Sequence, residues 1–264
     1  MAKVSVVQFD KARPAAMPPG FAGDAPVRAI VSGPGQPLLL HHHALDEGAS
    51  LSIGPRAVDC LGYVWSGEVM AGGRRLPAGS SLIVEHGVSL DISGAAGGAE
   101  LLTFTARDAA DQSLPGGQVH LLPADCVPKS ADMGGGSNVG GGMHADSACP
   151  TCALWLHENH FPAMAALSPE EQARGVHSHS EDEIIFVTSG RIRLGNRLFD
   201  AGTAVAIAAD TLYSLSAGPE GMSFINFRAG TPGDIRFASG MAISETGYWK
   251  ERLPRPGYLA PLAA

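Results

Sequence analysis

The sequence predicts an all-β protein built from two strand-rich halves, and three observations carry that expectation. Short apolar runs of strand length recur along the chain, separated by turn residues. Glycine and proline are both abundant, 34 and 19 in 264 residues, without a collagen-like period, which is the composition of a chain with many tight turns. The two halves also repeat each other. YVWSGEVMAGGRRLPAGSSLIV matches FVTSGRIRLGNRLFDAGTAVAI in order: an aromatic-containing strand, a Ser-Gly pair (Ser66-Gly67 and Ser189-Gly190), a polar turn carrying arginine, an Ala-Gly turn and a further apolar strand. Such a repeat implies a duplicated barrel.

Residues 1–25 are rich in Pro and Ala and read as an extended arm, one able to swap between subunits of a homodimer. Residues 26–110 hold VRAIV, QPLLLHHHAL, ASLSIG, the first repeat and AELLTFTA, at strand spacing with Gly-Gly and Pro-Ala-Gly at the turns. Residues 111–150 are polar, glycine-rich and aperiodic, the signature of a connector or long loop. The glycine cluster lacks the Lys-Ser/Thr ending of a phosphate-binding loop, which argues against a phosphate cradle. Strand patterns return over 151–250. They are interrupted by one helix, LSPEEQARG, with Ser168 as N-cap, Pro169 at the first position and Glu170 and Glu171 in the first turn. Residues 251–264 form a proline-rich tail.

Composition excludes several classes. A net charge of −8 without a basic run argues against nucleic acid or an anionic membrane as partner, and no helix-turn-helix pattern is visible. There is no apolar run of about 18 residues and no secretory h-region at the start, so a cytoplasmic protein is expected. Four cysteines (Cys60, Cys126, Cys149 and Cys152) are too few for a disulfide framework in a chain this long, and free thiols are expected.

Chemistry concentrates at Gly175-Val176-His177-Ser178-His179-Ser180-Glu181-Asp182-Glu183, with Gly190 following. Side chains alternate faces along a strand, so one strand through His177, His179 and Glu183 puts all three on one face as metal ligands. Two imidazoles and a carboxylate suit Fe(II), Mn, Ni, Zn or Cu and leave coordination positions open. This stretch resembles the first motif of the cupin superfamily, and the repeat resembles a bicupin with the metal motif only in its C-terminal cupin. The resemblance implies two double-stranded β-helix (jelly-roll) barrels with few short helices. It also implies one divalent transition metal on His177, His179 and Glu183, with Fe(II) as first choice and Mn, Ni or Zn as alternates. In the second motif the turn glycine is Gly202, the usual proline is missing, and Tyr213 stands where the family places its last histidine. Tyr213 is therefore the candidate catalytic residue, as a hydrogen-bond donor or acid/base at the metal, or as a ligand that the metal recruits. Aligning Gly67 with Gly190 puts Cys60, Arg56 and Gly54 at the ligand positions of the first half, so no ligand set survives there.

The resemblance implies a metal-dependent enzyme acting on a small organic molecule, with an Fe(II) dioxygenase as first reading. Ile185, Val187, Val205 and Ile207, of the same parity as the ligands, would line a site for an aromatic substrate. The alternatives are a lyase, isomerase or hydrolase using the metal as Lewis acid, and a non-catalytic metal-containing binding module. Glu181 and Asp182 read as surface acids. A second cluster, Cys149-x-x-Cys152 with His157 and His160, reads as a zinc site, as a redox pair, or as the source of a fourth ligand through His157 or His160. His41-His42-His43 cannot all face one site from a strand, and His144 is a weak candidate. Trp65, Trp155 and Trp249 read as core or interface aromatics.

Overall fold

A computed structural model describes residues 3–108, 114–133, 139–165 and 167–259. The first glycine run of the expected connector, 134–136, lies outside the described residues, as does the end of the tail, 260–264. Strands dominate. Among the described residues the α-helices are Pro169–Arg174 and Glu245–Arg252, and no helix is long and apolar enough to cross a membrane. The first helix has the expected N-terminus, with the Ser168 hydroxyl and the Glu171 carboxylate closing a reciprocal capping box.

The chain divides into two compact units. The unit that carries the histidine motif comprises Met1–Lys11, Pro128–Ala145 and Trp155–Arg255. Its eight-stranded antiparallel sheet runs in the order Val4–Gln8, Thr203–Ile207, Glu183–Leu194, Ser216–Arg228, Trp155–Phe161, Gly140–Ala145 and Lys129–Ser130, with Arg197–Asp200 hairpinned onto Glu183–Leu194. A three-stranded sheet of His177–Ser178, Asp234–Phe237 and Ala242–Ser244 belongs to the same unit. The β-branched and aromatic run Glu-Ile-Ile-Phe-Val at the start of Glu183–Leu194 is buried on both faces, and Ile185, Val187, Val205, Ile207 and Phe224 pack into one apolar core.

The other unit comprises Ala12–Val127, Asp146–Leu154 and Pro256–Ala264. Its ten-stranded sheet runs Val119–Leu122, Ser81–Val84, Cys60–Ala71, Leu90–Ala106, Leu38–Leu45, Val27–Val31 and Arg13–Ala15, with Phe21–Gly23, Ser50–Ile53 and Arg74–Pro77 paired off that path. Residues 1–25, read as an arm, thus supply three short strands, and Val119–Leu122, Lys129–Ser130 and Gly140–Ala145 lie within the stretch read as a connector. Gly140-Gly141-Gly142 is a buried strand because larger neighbours press on it. A Cβ on Gly141 would stand 2.8 Å from Met133, and one on Gly142 would stand 2.6 Å from the Glu158 carboxylate.

The repeat has the same local form in both units. Cys60–Ala71, Arg74–Pro77 and Ser81–Val84 correspond to Glu183–Leu194, Arg197–Asp200 and Thr203–Ile207. The Ser-Gly pairs mark equivalent bulges. Gly67 and Gly190 have φ of 71° and 67°, and a Cβ at either would lie 2.1 or 2.3 Å from a carbonyl oxygen of the neighbouring strand. Only glycine meets both demands. We expect Gly190→Ala to lower the unfolding free energy by about 2 kcal/mol or more, from left-handed strain and backbone displacement together, as read by urea denaturation.

Candidate functional site

His177 and Ser178 form a two-residue strand paired with Phe237 and Arg236, and a turn over 179–182 separates them from the strand that begins at Glu183. The expectation of a single strand carrying His177, His179 and Glu183 is thereby corrected. The turn, not strand parity, swings the histidines over the carboxylate, because the two strands belong to different sheets. Glu181 and Asp182 hold that turn: Glu181 accepts from the Gly233 N–H and Asp182 from the Ala209 N–H, each at 3.0 Å. Asp210, the one non-glycine residue with positive φ (57°) among the described residues, donates its N–H to the His179 carbonyl at 2.7 Å. The same loop delivers Tyr213, whose backbone exchanges two 2.9 Å hydrogen bonds with that of His177. Its ring lies 4.5 Å from the His177 ring and 6.1 Å from that of His179. Burial, reinforced by the nearby Glu183 carboxylate, pushes the Tyr213 phenol well above its usual range, so it stays protonated and donates.

Beneath the histidines lies a buried ion triad. Arg228, 0% exposed, donates to Glu183 Oε2 at 2.8 Å and to Glu245 Oε1 at 2.7 Å. Asn226 Nδ2 also donates to Glu183 Oε2, at 2.7 Å. His179 Nδ1 lies 2.9 Å from Glu245 Oε2 and 3.0 Å from the Arg228 guanidinium, so the triad engages that nitrogen and leaves Nε2 facing Glu183 Oε2 at 4.0 Å. His177 Nδ1 is likewise taken, by the Gly175 carbonyl at 2.8 Å, and burial holds this imidazole below its usual pKa and thus neutral. With two carboxylates against one guanidinium, the triad keeps one uncompensated negative charge. Glu183 Oε1 and Asn226 Oδ1 are buried without a hydrogen-bond partner.

Most of these groups face a cavity of about 290 Å³, whereas Glu183 is not among the residues that line it. His157, His177, His179, Tyr213, Asn226, Arg228 and Glu245 form its polar side; Phe161, Ile185, Phe224, Phe237, Tyr248 and Trp249 form much of its apolar wall. Of the apolar residues expected to line it, Ile185 does, whereas Val187, Val205 and Ile207 fill the core of the sheet.

The second sequence cluster does not assemble as one site. His157 joins the cavity: it accepts from Trp155 Nε1 at 2.9 Å, lies tilted against Trp249 with ring centroids 4.4 Å apart, and is kept neutral by burial, with a pKa lowered to about 3. His160 points the opposite way from the same strand, toward Ser223 and Glu158. Cys149 and Cys152 belong to the other unit and are free thiols, as are Cys60 and Cys126. Buried His144 faces Glu158 at 3.3 Å. His42 contacts Glu100 and His43 bonds Thr103 at 2.9 Å, so the histidine tract splits between partners as strand alternation requires. Trp155 and Trp249 pack with Met133 and Met143 in a core cluster. Arg228, Asn226 and Glu245 escaped the sequence reading. The one signal was an asparagine and a closing arginine in the mainly apolar strand MSFINFR.

The fold is of the cupin type, as are its neighbours among solved structures. Protein Ylba from E. coli superposes with a TM-score of 0.66 at 15% identity, covering 86% of this chain and 90% of that one. A mutant of oxalate decarboxylase from Bacillus subtilis gives 0.58 at 14%, covering 91% and 79%. Quercetin 2,3-dioxygenase from Acinetobacter baumannii gives 0.55 at 14%, covering 86% and 85%. At these identities the likeness is one of fold. No family model matches the chain, and no curated protein matches it.

Two measurements test the triad. Arg228→Met leaves two carboxylates facing each other in a buried site, and we expect a loss of about 3 kcal/mol or more in unfolding free energy. Burial alone would raise the Glu245 pKa, but the Arg228 charge outweighs it and holds the group at about 2. A carboxyl lowered on folding contributes stability above its unfolded pKa and loses it as pH falls toward the folded value. Urea midpoints should therefore drop between about pH 4.5 and pH 2, and Glu245→Gln should flatten that drop.

Proposed function

We propose that the chain is a metal-dependent enzyme of the cupin type, with two barrels of which the histidine-bearing one is catalytic, acting on a small organic molecule with an aromatic or otherwise apolar body. One observation carries the reading: His177, kept neutral by burial, and His179 line an aromatic-walled cavity with Nδ1 of each ring already engaged, while Glu183, whose Oε2 lies 4.0 Å from His179 Nε2, keeps a buried Oε1 without a hydrogen-bond partner. His177 and His179 through Nε2, and Glu183 through Oε1, are the residues that would hold the ion. The donor set suits Fe(II), Mn, Ni or Zn, and the leftover negative charge of the triad complements a cation. Such an ion would supply Lewis acidity and open positions for substrate or O2.

The chain's own residues do the rest. Glu245 and Arg228 fix the His179 ring and the Glu183 carboxylate, Phe161, Phe224 and Trp249 exclude water around the substrate body, and Tyr213 offers a proton at its hydroxyl beside both histidines. O2 chemistry on Fe(II) is the favoured form of the reading. Acid chemistry by Tyr213 in a lyase or isomerase is the second, favoured by the seat of that phenol against both imidazole rings.

Plasma mass spectrometry of untagged protein beside a His177→Ala/Glu183→Ala variant tests the site. About one equivalent of iron lost in the variant, with O2 uptake on offering aromatic substrates, supports the first form. Stoichiometric Mn, Ni or Zn lost in the variant, without O2 uptake, supports the second. Identical metal contents in wild type and variant after reconstitution with each ion would remove the metal-enzyme reading altogether.

A further inference from the structure

The cysteine pair has partners that its sequence neighbourhood did not suggest. Cys149 and Cys152 lie in the segment Asp146–Leu154, which belongs to the unit without the histidine motif. In that same unit Glu85 directly follows the strand Ser81–Val84, and His120 lies on Val119–Leu122, which pairs with it. Three stretches far apart in the chain meet here. Among the described residues, Glu85, Cys149 and Cys152 are the one set of three such side chains whose ligand atoms all lie within 4.8 Å of one another. They are buried, at 1%, 4% and 1% exposure. His120 Nε2 adds a fourth donor, 2.8 Å from Glu85 Oε1, which is itself 3.9 Å from Cys149 Sγ.

The surroundings hold these donors in place. The His120 ring stacks on Tyr258 at 4.6 Å. Glu85 accepts from the Gln118 N–H at 2.9 Å and from the Thr151 hydroxyl at 2.5 Å, so a residue between the two cysteines steers the carboxylate. Asp146 shapes the loop, accepting from the Ala148 N–H through its side chain at 2.9 Å and from the Cys149 N–H through its carbonyl at 3.0 Å. The Gly116 N–H anchors the Thr151 carbonyl at 3.0 Å.

We propose that Cys149, Cys152, His120 and Glu85 form a closed, structural zinc(II) site, distinct from the candidate centre of the other unit. Two thiolates and an imidazole are the donors that select zinc among the common divalent ions, and four protein donors leave no position for substrate. Donors about 2.0–2.3 Å from a tetrahedral zinc stand about 3.5 Å apart, so Glu85, Cys149 and Cys152, within 4.8 Å of one another, need to draw in only slightly, while His120 would exchange its hydrogen bond to Glu85 for the ion. Both thiols bind as thiolates and release their protons to solvent on uptake. A C-x-x-C pair also suits thiol–disulfide exchange, but exchange needs an attacking thiol to reach one sulfur, and here both are buried. The ion would tie the cysteine loop to the edge of the ten-stranded sheet, closing loops of sequence as a disulfide does elsewhere.

The test uses the full chain. The His177→Ala/Glu183→Ala variant, which lacks the ligands of the other centre, should keep about one equivalent of zinc, and Cys149→Ser/Cys152→Ser should lose it. Wild-type protein stripped with a chelator and refilled with cobalt(II) should show thiolate-to-cobalt charge-transfer absorption in the near ultraviolet. Zinc should shield Cys149 and Cys152, but not exposed Cys126, from iodoacetamide, as read by peptide mass spectrometry. The last two measurements need no cysteine variant to fold. Absence of the cobalt band in wild type, or a Cys149–Cys152 disulfide in protein purified without reductant, would overturn the site, the latter in favour of a redox pair.

Discussion

Everything at the histidine cavity hangs on one buried guanidinium. Removing three ions from water costs several kcal/mol apiece, and only close pairing makes the arrangement tolerable. Arg228 supplies that pairing to Glu183 and Glu245 at once, from the last position of the long strand Ser216–Arg228. Through Glu245 it fixes which nitrogen of His179 is free, and through Glu183 it decides which carboxylate oxygen is engaged and which is left over. Two carboxylates share that single cation, while burial keeps the His177 imidazole neutral and the Tyr213 phenol protonated beside them.

Much of the fold was legible because it repeats. The matched Ser-Gly pairs pointed to equivalent bulges, and both glycines prove to sit where a neighbouring carbonyl excludes a Cβ. The alternating apolar strands of 151–250 declared themselves through Ile, Val and Phe. The strand Gly140–Ala145 did not, because period-two alternation cannot be read where three successive residues lack side chains, and here burial comes from Met133, Trp249 and Glu158 reaching inward.

The site was legible in part. His177, His179 and Tyr213 line one cavity, with Glu183 Oε2 4.0 Å from His179 Nε2, through a turn held by Glu181 and Asp182 and not by the assumed strand. What the sequence hid was long-range. Glu245 opens a helix that nothing in its own neighbourhood links to His179, and Arg228 looks like any strand-ending cation until its burial is known. The cysteine pair shows the same limit: nearby His157 and His160 were natural partners by spacing, yet Glu85 and His120, distant in sequence, are the neighbours.

The strand Val4–Gln8 has a consequence for how such a chain can be divided. It runs along Thr203–Ile207, so the first residues of the polypeptide finish a sheet whose other strands are drawn from beyond residue 128. The other unit returns the exchange by taking Asp146–Leu154 and residues 256–259. The two units are laced together along the sequence, and a cut after residue 127 would sever each from part of itself. The C-terminal product would carry a bare strand edge at Thr203–Ile207, with its row of unpaired amides and carbonyls open to another copy. The opening residues therefore cover Thr203–Ile207 and carry the edge of that sheet one strand outward, to Val4–Gln8, a duty no catalytic role would reveal.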